Sequence, residues 1–498
     1  MRIRREWLKM EQTLSTAQKA LEINVDLKKF GTFAEIGAGQ EVARWFFHVG
    51  RAAGTVAKAI SAYDMGVSDS LYGATDHYVS RSRLEAMLTT EFTQLQNRHS
   101  DPASEHKALF VFADTVATQS LAHHRCGQGW MGIRFQNQPG EEASDIIVHA
   151  EMLDGETVQE QEALGILGVN LIHAAFYCNH DSTLVVNSLM QGLNRRRVDV
   201  DMIKFSGPAF DGIDNRLMSL QLVESELTDA ALFTAEGEVV QASEVLYGKP
   251  VVIERGSFRP ITNVTLDMLA RAQNQIGLQI PAQGQAPVVV MEMTLNNLIT
   301  GRKIDHQDFL ARVDLLGALG KTVMVSNYTR FDGVTAYLRK STQSWIAMVM
   351  GVPTLREIFE DKYYTDLQGG ILEGLGRLFQ GNVKLFIYPT RETATGEVDT
   401  ADLLDVQPRQ RSLYRYLLEN GCIEAIQDFD ADQLHITPRE VLARLQSNDS
   451  SWQSMVPPKV ATLIQERGLF MNSNQSAPEP DTPAGSPTRA DGVPSALR

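Results

Sequence analysis

Cysteine is scarce in this chain of 498 residues, which contains only Cys126, Cys178 and Cys422. Because they are far apart and odd in number, and no Cys-x-x-Cys pair occurs, the sequence excludes a disulfide framework and a zinc ribbon. Long hydrophobic runs are missing too, since no stretch approaches the roughly 20 apolar residues of a membrane-spanning helix. The N-terminus begins with positive charge but lacks the apolar core of a signal peptide. We therefore expect a cytoplasmic protein.

Positive charge is the second deficit of the sequence. The chain has 46 Lys and Arg residues against 61 Asp and Glu residues, so its formal net charge is −15. Such a surface repels nucleic acids and anionic membranes, and we expect neither as a partner. Net charge describes only the average surface, so a local basic pocket for a small anionic or nucleotide-like ligand is still compatible with it.

The composition and the order of apolar segments predict an α/β fold. Hydrophobic residues make up 43% of the chain and charged residues 21%, as in globular proteins with a full core. Strand-like segments alternate with helical patterns, which favours largely parallel sheets with flanking helices in two lobes. The expected parts are an N-terminal helical segment (1–29), a first α/β lobe (30–280), a linker (281–287), a second α/β lobe (288–410), a helical C-terminal segment (411–470) and a disordered tail (471–498), which is rich in Pro, Ser, Ala and Asp.

The strongest local motif is a strand that ends in Gly37-Ala38-Gly39 and leads into a helix. Glycines at such a turn allow the backbone to approach a nucleotide, and the helix N-terminus offers amide donors. Asp64 follows at a distance suited to a ribose-binding acid. The first motif of S-adenosylmethionine-dependent methyltransferases is similar to this segment. The alternative interpretation is a tight strand-to-helix turn that binds nothing.

Two arginines follow the strand-like segment Val251–Glu254. Arg255 and Arg259 flank Gly256-Ser257, and loops at the carboxyl ends of parallel strands are where α/β folds bind ligands. Two guanidinium groups there could bind a phosphate or carboxylate through bidentate hydrogen bonds. The alternative is that these arginines form structural ion pairs with Asp214 or Glu254.

A second set of polar residues lies in the second predicted lobe. Glu292 interrupts an apolar strand, and Ser326, Asn327 and Arg330 follow the next strand, so they are candidates for a second pocket. His123-His124-Arg125-Cys126 holds three potential ligands, of which His123 and Cys126 could face one way on a helix. No matching cluster of ligands occurs elsewhere in the sequence, and we expect no metal site.

Several longer segments resemble one bacterial family of large proteins, and the resemblance covers most of residues 30–470. The segments are FAEIGAGQEVARWFF, AKAISAYDMGVSD, GWMGIRFQ, DNRLMSLQLV, VVIERGSFRPIT, GVPTLREIF and GGILEGLGRLFQGNVKLFIYP. Members of that family are called either nicotinate-nucleotide adenylyltransferase or TonB-dependent receptor. The receptor label requires a signal peptide and many alternating strands, neither of which this sequence has, so we reject it. The adenylyltransferase label implies nucleotide binding, although the His-x-Gly-His motif of that class is missing here.

The sequence supports three interpretations. The first is a nucleotide-binding transferase that performs nucleotidyl transfer to a nicotinate-nucleotide-like substrate, with Mg²⁺ carried by the nucleotide. In it, the loop at Gly37 and Gly39 approaches the ligand, and Arg255 and Arg259 neutralise its charge. The second is a methyltransferase that uses S-adenosylmethionine, with Asp64 on the ribose. The third is a non-catalytic scaffold or regulatory protein, so enzymatic activity stays an open question at this level.

Overall fold

A computed structural model describes residues 14–99, 106–119, 126–279, 285–300, 303–391 and 396–471. The chain divides into two compact units, Met1–Gln241 and Ala242–Arg498. Each unit contains a β-sheet flanked by helices, so the predicted α/β class is confirmed. The predictions for the first 13 residues and for the tail from residue 472 onward lie outside the described residues.

The first unit begins with a helix and contains a six-stranded sheet, followed along the chain by a short antiparallel pair of strands. Its helices are α1 (Thr16–Val25), α2 (Val42–His48), α3 (Met65–Tyr72), α4 (Arg81–Arg98), α5 (Thr157–Tyr177), α6 (Ser182–Leu189) and α7 (Asn215–Glu224). Its strands are β1 (Lys29–Gly37), β2 (Val56–Ala62), β3 (Ala108–Ala117), β4 (Gly127–Phe135), β5 (Ser144–Met152), β6 (Val198–Ser206), β7 (Ala230–Phe233) and β8 (Val239–Val240).

The sheet of the first unit is mixed rather than mostly parallel. The order is β2-β1-β3-β4-β5-β6, and only β1 pairs in parallel, with β2 and with β3. The pairs β3–β4, β4–β5 and β5–β6 are antiparallel. A short loop joins β4 to β5, and a short loop can connect only antiparallel neighbours. The carboxyl ends of β1, β2, β3 and β5 therefore lie at one edge of the sheet, and those of β4 and β6 at the other.

The core of this unit lies between one face of the sheet and helices α1, α2, α5 and α6. Aromatic residues of β1 and β3 fill it, among them Phe33, Phe110 and Phe112, which are fully buried. Helix α5 is buried along most of its length because Gly165 and Gly168 let it approach its neighbours closely. A Cβ atom at Gly168 would lie 2.4 Å from the Val42 side chain and 3.0 Å from the ring of Phe112.

The second unit contains more helices and a second sheet. The helices are α8 (Ala242–Leu246), α9 (Asn263–Gly277), α10 (Leu295–Leu298), α11 (His306–Ala318), α12 (Phe331–Ser341), α13 (Val352–Ile358), α14 (Gly370–Leu378), α15 (Arg411–Glu419), α16 (Pro438–Gln446) and α17 (Pro458–Arg467). The strands are β9 (Val251–Arg255), β10 (Val288–Thr294), β11 (Ile299–Thr300), β12 (Lys303–Ile304), β13 (Thr322–Ser326), β14 (Ile346–Gly351), β15 (Val383–Tyr388), β16 (Thr390–Arg391), β17 (Val398–Asp399) and β18 (Ile423–Ala425).

Side-chain caps determine where many of these helices begin. Ser80, Asp214, Thr262 and Asp305 each accept a hydrogen bond from a backbone amide in the first turn of the helix that follows. A cap of this kind satisfies one of the amides that has no partner within the helix. Each of these four residues therefore fixes the position in the chain at which the following helix begins.

The second sheet follows a doubly wound strand order. Strands of this unit are arranged as β18-β15-β14-β9-β10-β13, and β9 pairs in parallel with β10 on one side and β14 on the other. Numbered along the chain, this is the order 3-2-1-4-5-6 read from β13, which is the order of dinucleotide-binding α/β folds. The strands are apolar and buried on both faces, as expected when helices cover both sides of a parallel sheet.

This topology assigns β9 and α9 to the second unit, although the sequence led us to expect them in a first lobe ending at residue 280. The Pro-rich and Gly-rich stretch at 281–287, read as a linker, joins α9 to β10, and residues 281–284 of it lie outside the described part. Its composition resembles that of a linker because a connection at the amino edge of a sheet needs the same turn-forming residues. The segment from residue 411 to 470 is helical as predicted, with α15, α16 and α17 and short 3-10 turns between them.

We expect Gly168→Ala to lower the free energy of unfolding by about 1–3 kcal/mol, because the added methyl group overpacks the contact of α5 with Val42. Gly376→Ala in α14 is the matched control, since a Cβ there meets nothing within 4 Å. That change should stabilise by roughly 0.5–1 kcal/mol. Urea denaturation of both variants measures the difference, and equal effects would show that α5 does not need the close approach.

Candidate functional site

The turn at Gly37 and Gly39 lies where β1 passes into α2, as the sequence predicts. The amides at the start of α2, however, already have a partner within the protein. The Glu35 carboxylate accepts hydrogen bonds from the backbone amides of Val42 at 2.8 Å and Ala43 at 3.3 Å. A phosphate at this helix terminus would have to displace that carboxylate, so the donors expected for a nucleotide are in use.

Protein atoms also fill the space beside both glycines. Gly37 has a φ of +74°, which favours glycine, and a Cβ there would lie 2.3 Å from the Val116 carbonyl oxygen. A Cβ at Gly39 would lie 2.1 Å from an oxygen of Asp114. Asp64 stands at the carboxyl edge next to this turn, because β2 pairs in parallel with β1, but its carboxylate caps α3 by accepting the Val67 amide at 3.0 Å. The geometry therefore matches a tight turn and does not fit a bound S-adenosylmethionine.

Two acids lie buried under this turn. Glu35 and Asp114 are directly paired across β1 and β3, and they are 4% and 0% exposed. Neither carboxylate oxygen of Asp114 has a well-formed hydrogen bond to a described residue, although the nearby Ile36 amide offsets part of the effect of burial on its pKa. Burial first, and then the charge of Glu35, raises the pKa of Asp114 well above its usual value. Burial likewise raises the pKa of Glu35 to about 7, against the opposing effect of the α2 amides.

The importance of this acid pair was not recognised from the sequence. The signal was a single acid within each of two apolar strands, at Glu35 after Phe33-Ala34 and at Asp114 after Phe112-Ala113. The same signal marks Glu292 in the second unit.

In the second unit, Arg259 is part of an internal ion cluster. Its side chain is 1% exposed, and its Nε donates to Asp308 Oδ1 at 2.6 Å. Asp308 also pairs with Arg312, which is equally buried and donates to the carbonyl oxygens of Ser257 at 3.0 Å and Asn297 at 2.7 Å. The structural alternative is therefore the better description of Arg259, with Asp308 rather than Asp214 or Glu254 as the partner.

Arg255 forms a second cluster at the carboxyl ends of β9, β10 and β13. Its guanidinium is bidentate on Glu292, at 3.0 and 2.8 Å, and lies 4.3 Å from the Phe331 ring centre. Ser326 Oγ donates to the same carboxylate at 2.6 Å. The structure thus brings together Glu292 and Ser326, two of the four second-pocket candidates. Arg255 remains 14% exposed, so the cluster borders the surface while Glu292 is buried.

The other two candidates lie just beyond β13. Arg330 donates to Asp332 at 3.0 Å and to Asp366 at 2.7 Å, and it lines a small cavity of about 40 Å³ with Phe331, Tyr363 and Tyr364. That volume holds about one water molecule, whose share of liquid volume is about 30 Å³. Asn327 is exposed. The cavity is therefore too small for a nucleotide.

The strand order marks a different position on this sheet. Connections leave β9 and β14 in opposite directions, toward β10 and toward β15, so these neighbours form the topological switch point. Half-exposed small residues follow the two strands there, Gly256 and Ser257 after β9 and Gly351 at the end of β14. The Ser257 carbonyl is held by Arg312. Doubly wound folds bind their ligands in the crevice outside the carboxyl ends at such a point.

The described residues contain neither a membrane-spanning helix nor a cluster of metal ligands. None of the described helices is long and apolar enough to cross a membrane. In the same part of the chain, no group of three or more His, Cys, Asp or Glu side chains is placed to hold a metal ion. Cys126 is exposed, while His123 and His124 lie outside the described residues.

Comparisons with known proteins give only distant likenesses. No family model matches the chain, and no curated protein matches it. A competence/damage-inducible protein from Agrobacterium tumefaciens is 16% identical over 32% of this chain and 94% of its own, with a TM-score of 0.25. A competence-damaged protein from Enterobacter cloacae is 12% identical over 36% and 95%, with a TM-score of 0.24. A Vibrio parahaemolyticus protein described as a candidate nicotinate-nucleotide adenylyltransferase is 11% identical over 45% and 97%, with a TM-score of 0.21. Scores of this size assign neither fold nor function.

Asp308→Ala should lower the free energy of unfolding by about 3–5 kcal/mol, because it leaves Arg259 and Arg312 buried without their carboxylate. Asp366 is also an arginine partner, of Arg330, but its side chain is 64% exposed. Asp366→Ala should therefore lower the free energy of unfolding by less than about 1 kcal/mol. Chemical denaturation compares the two. A small effect at Asp308 would mean that the arginines find other partners and could serve a ligand.

The acid pair under the turn predicts a pH dependence. Because both pKa values are raised in the folded state, the pair stabilises the fold at low pH, and this contribution is lost as the pH rises through about 7. Asp114→Asn removes one of the two acids, so its melting temperature should match that of the parent near pH 3.5, where Asp114 is largely protonated in both the folded and the unfolded chain, and exceed it at pH 8. Asp211→Asn, at an exposed loop position of the same unit, should leave both values unchanged. Parallel melting curves of the parent and Asp114→Asn at all pH values would contradict the assignment.

Proposed function

We propose that the second unit binds a nucleotide-like anion at the carboxyl edge between β9 and β14. The observation that carries this proposal is the strand order β13-β10-β9-β14-β15-β18, with its switch point at β9 and β14. Helices that leave the switch point on opposite faces of a sheet open a crevice between them, and doubly wound folds use that crevice for nucleotides.

The residues around the switch point suit recognition by the main chain. Gly256, Ser257 and Gly351 are small, so the backbone can approach a phosphate closely, and Arg312 fixes the position of the Ser257 carbonyl. Arg255 at the end of β9 adds a positive charge whose orientation is held by Glu292. Of the two arginines first expected to bind the anion, only this partly exposed one stays in the proposal. Arg259 is left out because Asp308 holds it in the interior.

We further propose that the nucleotide is a substrate for group transfer, as the resemblance to an adenylyltransferase family implies. In nucleotidyl transfer, an oxygen of the acceptor phosphate forms a bond to the α-phosphorus of a nucleoside triphosphate. The bond from that phosphorus to the bridging oxygen breaks, and pyrophosphate leaves with the electron pair. A Mg²⁺ ion carried by the nucleotide would neutralise part of the phosphate charge. Among the described residues of the first unit, no contact favours the methyltransferase alternative, since Asp64 and the amides at the start of α2 already have partners.

A matched pair of serine variants tests the site. Ser257 and Ser344 are both half-exposed, and an arginine holds the backbone carbonyl of each, but Ser344 precedes β14 at the amino edge of the same sheet. Ser257→Glu places a carboxylate beside the bound phosphates, so affinity for MgATP or NAD should fall at least about tenfold, the effect of roughly 1.4 kcal/mol. Ser344→Glu should change it less than twofold.

Isothermal titration calorimetry of the full chain with MgATP, NAD and nicotinate mononucleotide measures these affinities. The proposal is contradicted if the folded protein binds none of the three compounds, and that result favours the scaffold interpretation. It is also contradicted if Ser257→Glu and Ser344→Glu weaken binding equally. Release of pyrophosphate from MgATP and nicotinate mononucleotide, followed by phosphorus NMR, separates a transferase from a protein that only binds nucleotide.

A further inference from the structure

A second pocket lies in the first unit, at the amino edge of its sheet. It has a volume of about 160 Å³ and sits between the beginnings of β1 and β2 and the last turns of α4. Phe30, Thr32, Lys58, Glu91, Arg98 and His99 contribute to its lining. The turn at Gly37 and Gly39 is at the opposite, carboxyl edge, so this pocket is separate from the position that the sequence motif indicated.

Among the described residues of the lining, Glu91 is the one acid, and it is neutralised within the protein. Glu91, with a side chain that is 2% exposed, forms an ion pair with Lys58 and accepts a hydrogen bond from Tyr72 Oη at 2.9 Å. Lys58 also lies 3.4 Å from the side-chain oxygen of Gln94. Because the charges of Glu91 and Lys58 cancel, the remaining charged groups set the potential of the pocket.

Those remaining groups are positive. Arg98 is exposed at the rim and has no carboxylate partner in the described part of the chain. Lys107 lies 4.3 Å from the centre of the Phe30 ring and donates to the Gly54 carbonyl at 3.1 Å, and within the same described ranges it has no acid partner either.

His99 adds a polar atom that lacks a partner. Its ring packs edge-on against Phe30, with 4.4 Å between the ring centres, and its Nδ1 is buried without a hydrogen bond to any described residue. Burial, and then the charge of Lys107, lowers the pKa of His99, so the ring is neutral near pH 7. A neutral imidazole can donate one hydrogen bond to a ligand oxygen.

We infer that this pocket binds a compact anion that carries a phosphate or carboxylate group, with Arg98 and Lys107 supplying the attraction. The volume of about 160 Å³ corresponds to about five water molecules at roughly 30 Å³ each. Pockets for whole cofactors and drug-sized ligands are larger, about 300–1,000 Å³. The ligand is therefore a small metabolite or inorganic ion rather than a dinucleotide, and the site is independent of the nucleotide proposed for the second unit.

Titrations of the full chain with inorganic phosphate and with malonate, at constant ionic strength against sodium chloride, test this inference. Binding of either anion should be saturable, and Arg98→Ala should weaken it at least about tenfold, as expected for one charge-assisted contact of roughly 1.5–3 kcal/mol. Arg98→Lys should recover part of the affinity because it retains the charge but loses the bidentate fork. Lys107→Gln should weaken binding in the same direction.

The matched control is Arg44→Ala, which removes another exposed helical arginine of the same unit, paired with Glu41. It should leave both anion affinities within twofold of the parent. Preference for phosphate or for malonate identifies which of the two groups the site takes. The inference is overturned if neither anion saturates, if Arg44→Ala weakens binding as much as Arg98→Ala, or if Arg98→Ala lowers only the melting temperature. The last result would mean that Arg98 stabilises α4 through the dipole at the C-terminal end of the helix and does not bind the anion.

Discussion

The cost of burying charge in an apolar sheet is the constraint on which both carboxyl edges depend. An ionised side chain inside a protein is strongly destabilising unless a partner of opposite charge or a set of hydrogen bonds accompanies it. In the second unit, Asp308 satisfies this requirement for Arg259 and Arg312, and Glu292 does so for Arg255. In the first unit, the α2 amides satisfy it for Glu35, while Asp114 is driven toward its neutral form instead. These internal partners leave few charges at either edge for a ligand.

The residues at each switch point then decide what each edge can do. Both sheets have neighbouring parallel strands that continue in opposite directions, β1 and β3 in the first and β9 and β14 in the second. In the first unit, α2 follows β1 directly and its amides close onto Glu35, so the turn is compact. In the second, small residues follow β9 and β14, and the chain leaves the sheet on both sides. The glycine motif that attracted attention in the sequence is thus in the less suitable of the two sheets.

The sequence predicted individual elements well because their apolar patterns are local. The strand-like segment Val251–Glu254, for example, differs from the observed β9 (Val251–Arg255) by one residue. The strand β2 is harder to predict, because it alternates between half-buried and exposed positions, as expected for an edge strand with a single neighbour. The antiparallel half of the first sheet and the 3-2-1-4-5-6 order of the second were not predicted, since alternation of strands and helices is compatible with many strand orders.

Site residues were harder to predict because their roles depend on partners distant in the chain. Arg259 and Asp308 are 49 residues apart, and nothing near Arg259 in the sequence indicates that pair. Glu292 and Ser326 lie close together because both are near the carboxyl ends of β10 and β13, which are parallel neighbours. That they belong to a second pocket stays a prediction. The residue type thus indicated which positions matter, whereas the topology determined whether each would face a ligand or another side chain.

The two proposed sites would bind an anion in different ways, because the cations near one site are paired with acids and those near the other are not paired with any described acid. At the switch point of the second unit, the nearest arginines are already paired, so attraction there must come mainly from backbone amides that small residues leave accessible. Recognition by amides follows the geometry of phosphate and depends little on the net charge of −15. In the pocket of the first unit, Arg98 and Lys107 lack acid partners among the described residues, so attraction there is Coulombic and weakens with salt. Salt dependence therefore distinguishes the two modes of binding within one chain.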